Sequence, residues 1–402
     1  MSTRSPNCAV FAAIRVLQVT SVYYPELQYG GPPLKIHLLS RELRNRGFSV
    51  SVLTFHSEKP RCSDHMEFDR VSVQYLPWIG QGFRQWPLRR CVLFEAIRQA
   101  DIVHCYGLYN ALCPLAAWYA KRLQKPYFLE PLGMYRPRVS NVLIKELYHR
   151  CFTSWMARYA FKIVASSHEE RTDLRSLVSD ETTLTVRRNG IDVAAFRNLP
   201  SQETFRANYD VRPSARIILY LGRISPIKNL EQLIQAFHIA ECGDSMLVMA
   251  GPLLEPEYAA RIRTVIESLH LKDSVRLIGP LYGEDKLAAL AATDLFVLPS
   301  VSESFGNAAA EAVAAGVPVL LTETCGIAPM IHRRAGLAVP LGIASIASGL
   351  RIMMSQDRRR FLQEQEQVPR ELGLDEPVQQ TARLYESALT ERRVVATELE
   401  AQ

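Results

Sequence analysis

Two glutamates separated by seven residues form the most distinctive chemical pattern in the sequence. Glu303 and Glu311 lie in "SVSESFGNAAAEAVAAGVPVLLTE", residues 300–323, between two apolar segments that are typical of β-strands. Glu303 falls in the turn after the first strand, and Glu311 falls on an alanine-rich helix that ends at Gly316. A carboxylate among small residues is costly unless a donor bonds it, and the vicinal hydroxyls of a ribose are suitable donors. The alternative is a pair of surface glutamates at chance spacing.

The turn between the two glutamates also suits a polar ligand. Phe305, Gly306 and Asn307 come directly before the predicted helix, so their backbone N–H groups lie near its N-terminus. Such groups bind phosphate and sugar hydroxyls. We therefore expect this turn to contact the same ligand as the glutamates.

A second candidate site is the loop "LGRISPIKNLEQL", which follows another predicted strand. Arg223 and Lys228 flank this loop, and a helix starts near Asn229. Two cations and helix N–H groups at the edge of a parallel sheet can hold a diphosphate without a metal ion. They could equally be two surface cations. The sequence has no G-x-x-x-x-G-K-[S/T] motif, so phosphate binding of the ATPase type is not expected.

Gly30 and Gly31 stand at a third strand-to-helix turn, in "SVYYPELQYGGPP". A glycine pair lets the backbone approach an anion and directs the helix N-terminus at it. The same sequence is also an ordinary way to end a loop. No G-x-G-x-x-G motif is present, which argues against a nicotinamide-dependent enzyme.

Strand and helix patterns alternate along the whole chain, which indicates parallel sheets joined by crossover helices. The alternation restarts near residue 215, after a linker that contains Pro200 and Pro213. We therefore predict an α/β protein with two doubly wound Rossmann-like domains that face each other across a cleft, where ligands bind. The predicted boundaries are residues 1–198, 199–372 and a final helix in 373–402. One predicted helix, "NLEQLIQAFHIAECG", is expected to end at Gly243.

The composition is that of a globular protein of two or three domains: 402 residues, 48% hydrophobic and 22% charged. Apolar runs stop well short of the ~20 residues that span a membrane, and the N-terminus does not resemble a signal peptide. The eight cysteines show neither a C-x-x-C pair nor a zinc-site spacing. We expect buried thiols, no metal site and a cytoplasmic location.

The net charge of +6 comes from residues 1–198, because residues 199–402 contain more acidic than basic side chains. Basic and aromatic residues alternate in two segments, 84–94 and 135–162. This pattern fits an anionic membrane surface, a phosphorylated lipid or nucleic acid, and it also fits a solvated helix face. No nucleic-acid motif accompanies it, so a nucleic-acid partner is not expected.

The glutamate segment resembles the Glu-x7-Glu signature of retaining, nucleotide-sugar-dependent glycosyltransferases of family 4, which have the GT-B fold. The resemblance extends to other segments in the same order along the chain: the glycine pair, "PLGM" (131–134), "RRNGID" (187–192), the cation loop and "AGP" (250–252). It implies that Arg223 and Lys228 neutralise the donor diphosphate, that Glu303 lies at the donor sugar and that Glu311 holds the ribose. The implied donor-binding residues are Gly30, Gly31, Ser304, Phe305, Gly306, Asn307 and Glu311. The family usually needs no metal ion or cofactor, and the absence of a D-x-D triplet agrees with that.

The acceptor side departs from the family pattern. Many relatives have a histidine in the loop where this chain reads "EPLGMYRP". His104, at the end of a predicted strand, is assigned to the acceptor side with Tyr106 and Gly133. A buried structural histidine is the alternative.

Together these features predict transfer of a hexosyl unit, with retention, from a nucleotide-diphosphate sugar to a hydroxyl of a glycan or lipid-linked glycan. Bacterial exopolysaccharide, lipopolysaccharide or cell-envelope synthesis would use such a step, with peripheral contact at the inner face of an anionic membrane. The alternatives are a nucleotide-sugar epimerase of GT-B-like fold and a non-catalytic nucleotide-sugar-binding protein. A glycogen- or sucrose-type synthase is chemically close.

Overall fold

The computed structural model describes residues 13–400 except 57, 60–62, 81–84 and 136–141. Cys8 and Cys62 lie outside these ranges, as do residue 84 and residues 136–141 of the two basic segments. Two mainly parallel sheets, each covered by helices on both faces, form the framework.

Ten strands lie in the first half of the chain: β1 (Arg15–Thr20), β2 (Ser49–Phe55), β3 (His65–Phe68), β4 (Val71–Leu76), β5 (Trp78–Ile79), β6 (Trp86–Pro87), β7 (Ile102–Tyr106), β8 (Tyr127–Glu130), β9 (Lys162–Ala165) and β10 (Leu184–Val186). Eight of them form one sheet in the order β10-β9-β8-β7-β1-β2-β4-β3. All neighbours in this sheet are parallel except the edge pair β3 and β4. The edge strand β3 and the small β5–β6 hairpin were not predicted; β3 is almost wholly exposed, so no apolar pattern indicates it.

The helices of the first half are α1 (Gly31–Asn45), α2 (Arg90–Gln99), α3 (Leu112–Arg122), α4 (Val142–Tyr148), α5 (Ser154–Tyr159) and α6 (His168–Leu174), with a π-helical turn (His149–Thr153) between α4 and α5. One apolar core joins the sheet to α2, α3 and α5. A second core, on the opposite face, joins it to α1. Strands covered on both faces explain the continuous apolar runs of the sequence.

The second half contains β11 (Arg216–Leu221), β12 (Ser245–Ala250), β13 (Val275–Ile278), β14 (Leu295–Leu298), β15 (Val319–Thr322) and β16 (Gly336–Val339). Its helices are α7 (Gln202–Asn208), α8 (Leu230–Ala240), α9 (Pro256–Ser268), α10 (Gly283–Ala291), α11 (Asn307–Ala314), α12 (Ala328–Ile331), α13 (Ile343–Met353) and α14 (Val368–Glu371), followed by the last helix, α15 (Asp375–Glu400). The strand order is β13-β12-β11-β14-β15-β16, all parallel. This is the Rossmann order, in which the direction of winding reverses between β11 and β14.

Helix α8 ends earlier than predicted. Its last residue is Ala240, and Glu241 takes the left-handed conformation (φ 49°) that breaks the helix. Gly243 is also left-handed (φ 66°), but it belongs to the following turn. The rule that a helix ends at glycine therefore places the end of α8 three residues too late.

The chain passes between the two halves twice, and the two passages lie side by side. The backbone N–H of Ile191 donates to the carbonyl of Leu372 (2.9 Å). A side chain at Gly190 would come within 2.8 Å of the carbonyl oxygen of Gly373, so the two segments are in direct contact. After this point α15 packs on the first half, where Val378 and Tyr385 are buried in its second core. No helix in the described ranges is long and apolar enough to cross a membrane.

Candidate functional site

The predicted site residues come from loops at the carboxyl ends of strands in both sheets. Gly30 and Gly31 lie in the connection between β1 and α1, beside the β1–β7 reversal of the first sheet. Arg223 and Lys228 follow β11, and Glu303 follows β14, so they flank the reversal of the second sheet. Ligands of doubly wound sheets bind at this kind of position.

Lys228 and Glu303 form an ion pair between the Nζ and Oε2 atoms. Both side chains are largely enclosed, with 13% and 20% of their surface exposed. The backbone of Glu303 is fixed as well, since its N–H donates to the carbonyl of Thr324 (3.2 Å) and its carbonyl accepts from Gly326 (2.9 Å). The structure therefore fixes the position of the carboxylate next to the lysine.

Arg223, in contrast to Lys228, has no partner for its side chain in the described part of the chain. Its side chain is exposed and makes no hydrogen bond or ion pair with any residue that the structure describes. A side chain at Gly30 would come within 3.8 Å of its Nε atom, so the guanidinium lies opposite the glycine pair of the other half. In the same loop the Ser225 hydroxyl is buried without a described hydrogen-bond partner. A free cation and a free hydroxyl beside a close backbone approach are suitable ligands for an anion.

The turn before α11 joins the two glutamates and is shaped by Gly306. This residue has φ 115°, and a side chain there would come within 3.0 Å of the Ile327 side chain. Phe305, next to it, is buried and anchors the turn in the core. Asn307 is the first residue of α11, so the N–H groups at this helix end lie beside Glu303.

The same turn is in contact with the first half of the chain. The Asn189 amide donates to Asn307 Oδ1 (2.9 Å), and the Ser166 hydroxyl donates to the carbonyl of Ser304 (3.3 Å). A side chain at Gly31 would meet Asn307 Nδ2 at 2.7 Å, and one at Gly133 would meet Ser304 Cβ at 2.6 Å. The structure thus brings Gly30, Gly31 and Gly133 against Arg223, Asn307 and Ser304, respectively.

Glu311 lies on α11, where Glu311 Oε1 accepts a hydrogen bond from Lys286 Nζ of α10 (2.9 Å). The two side chains are 13% and 21% exposed. Lys286 was not among the predicted site residues. Twenty-five residues separate it from Glu311, and no spacing rule connects two helices across an intervening strand.

His104 and Tyr106 do not lie where the acceptor-side assignment placed them. The two rings stack (centroids 4.1 Å apart), and His104 Nδ1 bonds the Tyr385 hydroxyl of α15 (2.7 Å). The side chains of both residues are closed off from solvent. Burial lowers the pKa of His104 to about 3, although Glu130 opposes the shift, so the imidazole is neutral at physiological pH. A structural role therefore replaces the predicted acceptor contact for both residues.

Glu130 is the centre of a buried charge network beneath the site. Glu130 Oε1 pairs with Lys35 of α1, and Glu130 Oε2 pairs with Arg187 Nη2 (2.5 Å), which follows β10. Burial alone would raise the pKa of Glu130, but the charges of Arg187 and Lys35 outweigh it and hold the pKa at about 2. The network fixes α1, whose first residue is Gly31, to the end of β8. Sequence analysis missed it, although charged residues at the ends of apolar strands are a signal for such networks.

In the part of the chain that the structure describes, no group of three or more His, Cys, Asp and Glu side chains could hold a metal ion.

Comparison with known proteins agrees with this architecture. The family model described as "Glycosyl transferases group 1" matches residues 201–367, and the model described as "Glycosyl transferase 4-like domain" matches residues 30–190. The solved structure of sucrose-phosphate synthase from Thermosynechococcus elongatus superposes with a TM-score of 0.74 at 20% identity, covering 94% of this chain and 100% of that chain. The likeness shows that the two chains share the GT-B fold.

Two curated relatives extend the likeness to the sequence. An uncharacterized glycosyltransferase of Methanocaldococcus jannaschii is 30% identical over 394 residues, which are 94% of this chain and 99% of that protein. The GDP-mannose:cellobiosyl-diphosphopolyprenol alpha-mannosyltransferase of Xanthomonas campestris is 25% identical over 353 residues, or 86% of each protein. The chain therefore belongs to the family 4-like glycosyltransferases of GT-B fold and is a transferase enzyme.

Proposed function

We propose that this enzyme moves a hexosyl unit, with retention of configuration, from a nucleotide-diphosphate sugar to a hydroxyl of a glycan or lipid-linked glycan. The observation that carries the proposal is the approach of Arg223 to Gly30 of the other half, in the same loop that carries Lys228 and its ion pair with Glu303. These residues supply two cations, one carboxylate and a close backbone approach in one place. A diphosphate joined to a sugar needs these groups together.

The cations would act on the leaving diphosphate. When the bond between the anomeric carbon and the diphosphate oxygen breaks, negative charge grows on that oxygen, and preorganised cations stabilise the transition state. Arg223, which has no described ion-pair partner, would bind the diphosphate first. Lys228 would then be shared between the diphosphate and Glu303, whose carboxylate is placed to accept hydroxyls of the donor sugar.

The acceptor hydroxyl would approach on the same face of the sugar as the leaving group. Its oxygen forms the new bond to the anomeric carbon, and its proton passes to the departing diphosphate. The arrangement retains the configuration of the anomeric centre. In this proposal no metal ion takes part, because the two side-chain cations and the N-terminus of α11 balance the charge of the diphosphate.

Glu311 is proposed to hold the ribose of the donor nucleotide. Its Oε1 atom is already bonded to Lys286, which leaves Oε2 to accept from ribose hydroxyls.

The acceptor and the pathway rest on a relative. The Xanthomonas campestris relative is named for a diphosphopolyprenol-linked acceptor. A lipid-linked acceptor of that kind would place this protein in bacterial envelope or exopolysaccharide synthesis, in the cytoplasm at the inner face of the membrane.

The test is a transfer assay with UDP-, GDP- and ADP-hexoses and polyprenol-diphosphate glycans, analysed by NMR for the anomeric configuration of the product. We expect a product of retained configuration whose formation does not change when EDTA is added. Conversion of the donor to another nucleotide sugar without acceptor would show an epimerase instead. Tight nucleotide binding with no turnover on any acceptor would favour a non-catalytic binding protein.

A further inference from the structure

A basic aromatic surface covers the outer side of α3, α5 and the π-helical turn that joins α4 to α5. Exposed apolar side chains and exposed cations alternate on it. Its apolar members are Trp118, Leu147, Phe152 and Tyr159, and its basic members are Lys121, Arg122, Arg150 and Arg158. Leu147 is 62% exposed and Phe152 is 46% exposed, which is unusual for side chains of this type and size.

A contact between α3 and α5 joins part of this surface. The Lys121 ammonium lies 3.1 Å from the centre of the Tyr159 ring, which connects α3 with α5. The Arg122 guanidinium lies 5.6 Å from the Trp118 ring, and the Arg158 guanidinium lies at the same distance from Tyr159. Three of the four cations thus lie over aromatic rings, in contacts that stabilise both groups.

The charge of the surface is strongly positive. In the described part of α3, α4, the π-helical turn and α5, Glu146 is the one acidic side chain. The nearest helix in the same layer, α2, carries Glu95, whose carboxylate is already paired with Arg98 (2.7 Å). Neither Arg122 nor Arg150 forms an ion pair with a residue that the structure describes.

The surface begins at the edge of the cleft. Tyr109, in the loop after β7, bonds His149 Nε2 of the π-helical turn through its hydroxyl (2.8 Å). Tyr135, two residues after Gly133, packs edge-on against the same imidazole (4.8 Å between ring centres). A group held on this surface would therefore lie next to the first-half side of the cleft.

We infer that this surface docks the protein on an anionic lipid bilayer. Aliphatic and aromatic side chains enter the boundary between headgroups and acyl chains, while lysine and arginine beside them attract anionic headgroups. Nucleic acid fits less well, because exposed Leu147 and Phe152 offer no hydrogen bond to phosphate or base. Docking would bring a lipid-linked acceptor to the cleft, and this role alone rests on the proposed function.

The test is flotation of the full-length protein with vesicles of phosphatidylcholine alone and of phosphatidylcholine with phosphatidylglycerol. Wild type is expected to float with the anionic vesicles and to detach at high salt. The variants Leu147→Ser/Phe152→Ser and Arg122→Glu/Arg150→Glu should each bind at least about tenfold more weakly, since every cation near the surface adds to the attraction. Matched controls are Ile239→Ser/Leu254→Ser and Arg263→Glu/Arg383→Glu, which change exposed side chains elsewhere and should float like wild type.

Three results would overturn the inference. Wild type could bind neutral and anionic vesicles equally, or the surface variants could float as well as wild type. Sedimentation could instead show that wild type self-associates through this surface and that Leu147→Ser/Phe152→Ser is a monomer, which would make it a contact between copies. Nucleotide binding measured on the same variants separates this inference from the proposed function, because these substitutions leave the donor site intact.

Discussion

The two cations of the donor site differ in their partners: Lys228 is paired with Glu303, whereas Arg223 makes no ion pair in the described part of the chain. An unpaired cation can bind an anion without breaking an existing contact. Lys228 has to leave or share its carboxylate, so its full charge becomes available only when the leaving diphosphate develops charge. In the proposed mechanism Arg223 therefore contributes to donor binding and Lys228 contributes mainly to the rate of transfer.

The substitution Lys228→Ala should lower kcat by about 10²- to 10³-fold, the usual loss when one transition-state donor is removed. The melting temperature should change little, because the Glu303 carboxylate keeps some contact with water. Steady-state kinetics and a melting curve measure both effects. Lys272→Ala, which removes an exposed lysine paired with Glu267, is the control and should behave as wild type. Wild-type turnover in the Lys228 variant would exclude the role assigned to it.

Lys286 is expected to act through Glu311, because it fixes one oxygen of that carboxylate. Lys286→Met should weaken nucleotide binding about tenfold, the value of one charge-assisted hydrogen bond, with little change in kcat. Lys286→Arg should restore most of the affinity. Calorimetry with the nucleoside diphosphate and its 2′-deoxy analogue checks the mechanism. If Glu311→Ala loses the preference for the ribose form and Lys286→Met keeps it fully, Lys286 does not position the carboxylate.

The position of a candidate residue within its own strand, turn and helix could be predicted from sequence, whereas pairings between elements could not. The segment 300–323 indicates both glutamates because strand, turn and helix follow each other directly. The Lys286–Glu311 contact depends on how α10 lies beside α11, which no local pattern specifies. His104 shows the opposite error: a strand end in the first sheet looked like a cleft position, but Tyr385 of the distant helix α15 covers it.

At the scale of elements, the Glu130 network determines where α1 lies. Glu130→Gln would leave the charges of Lys35 and Arg187 buried without a counter-charge. We expect a loss of about 3–5 kcal/mol in the free energy of unfolding at neutral pH, the usual cost of breaking a buried ion pair from one side. Denaturant unfolding measures it. Glu181→Gln, which breaks an exposed ion pair with Arg171, is the control and should cost less than about 1 kcal/mol.

The pH dependence of that difference has a defined sign. The pKa of Glu130 is about 2 in the folded protein, against an ordinary value of 4.5. A lowered pKa stabilises the folded state fully above the ordinary value, and this contribution is lost as the pH falls from 4.5 through 2. The stability difference between wild type and Glu130→Gln should therefore shrink as the pH falls below 4.5. His104 adds acid sensitivity between its ordinary pKa of 6.5 and about 3, but it does so in both proteins. A difference that grows on acidification would contradict the assignment.

Most elements could be predicted because both sheets are buried on two faces and therefore give continuous apolar runs. The failures have separate causes. Strand β3 is an exposed edge with no apolar alternation. The end of α8 is set by a non-glycine residue in the left-handed conformation, which no sequence rule would select at Glu241.

The two halves of the chain approach each other at glycine residues, and the proposed mechanism depends on this approach. Gly133→Ala would place a methyl group 2.6 Å from Ser304 Cβ and would also strain a backbone with φ 74°. We expect kcat/KM to fall at least about tenfold, because small misplacements of reacting groups are costly. Gly243→Ala is the matched control: its φ of 66° carries the same strain, but no atom lies within 4 Å. Gly243→Ala should lose about 1 kcal/mol of stability through backbone strain alone. Gly133→Ala should lose more, because it adds the clash with Ser304, and only Gly133→Ala should lose activity. Equal activity in the two variants would show that the contact between Gly133 and Ser304 does not contribute to catalysis.

The two-sheet architecture could be predicted from the restart of the strand and helix alternation near residue 215. The contact between the halves could not, because it depends on the conformation of two loops that are far apart in sequence. Gly133 and Ser304 illustrate this: each has a local signal, but only the folded chain shows that they touch.

The most direct test of the nucleotide-sugar site is a thermal-shift series on wild type and Glu311→Ala. The ligands are UDP, GDP, ADP and their hexose conjugates, each with and without EDTA. A ligand at a hundredfold excess over its dissociation constant stabilises the folded state by about 2.7 kcal/mol. We predict that one nucleotide family stabilises wild type in the presence of EDTA and that Glu311→Ala loses the effect. If no nucleotide shifts wild type, or if Glu311→Ala responds fully, the two glutamates do not form a nucleotide-sugar site.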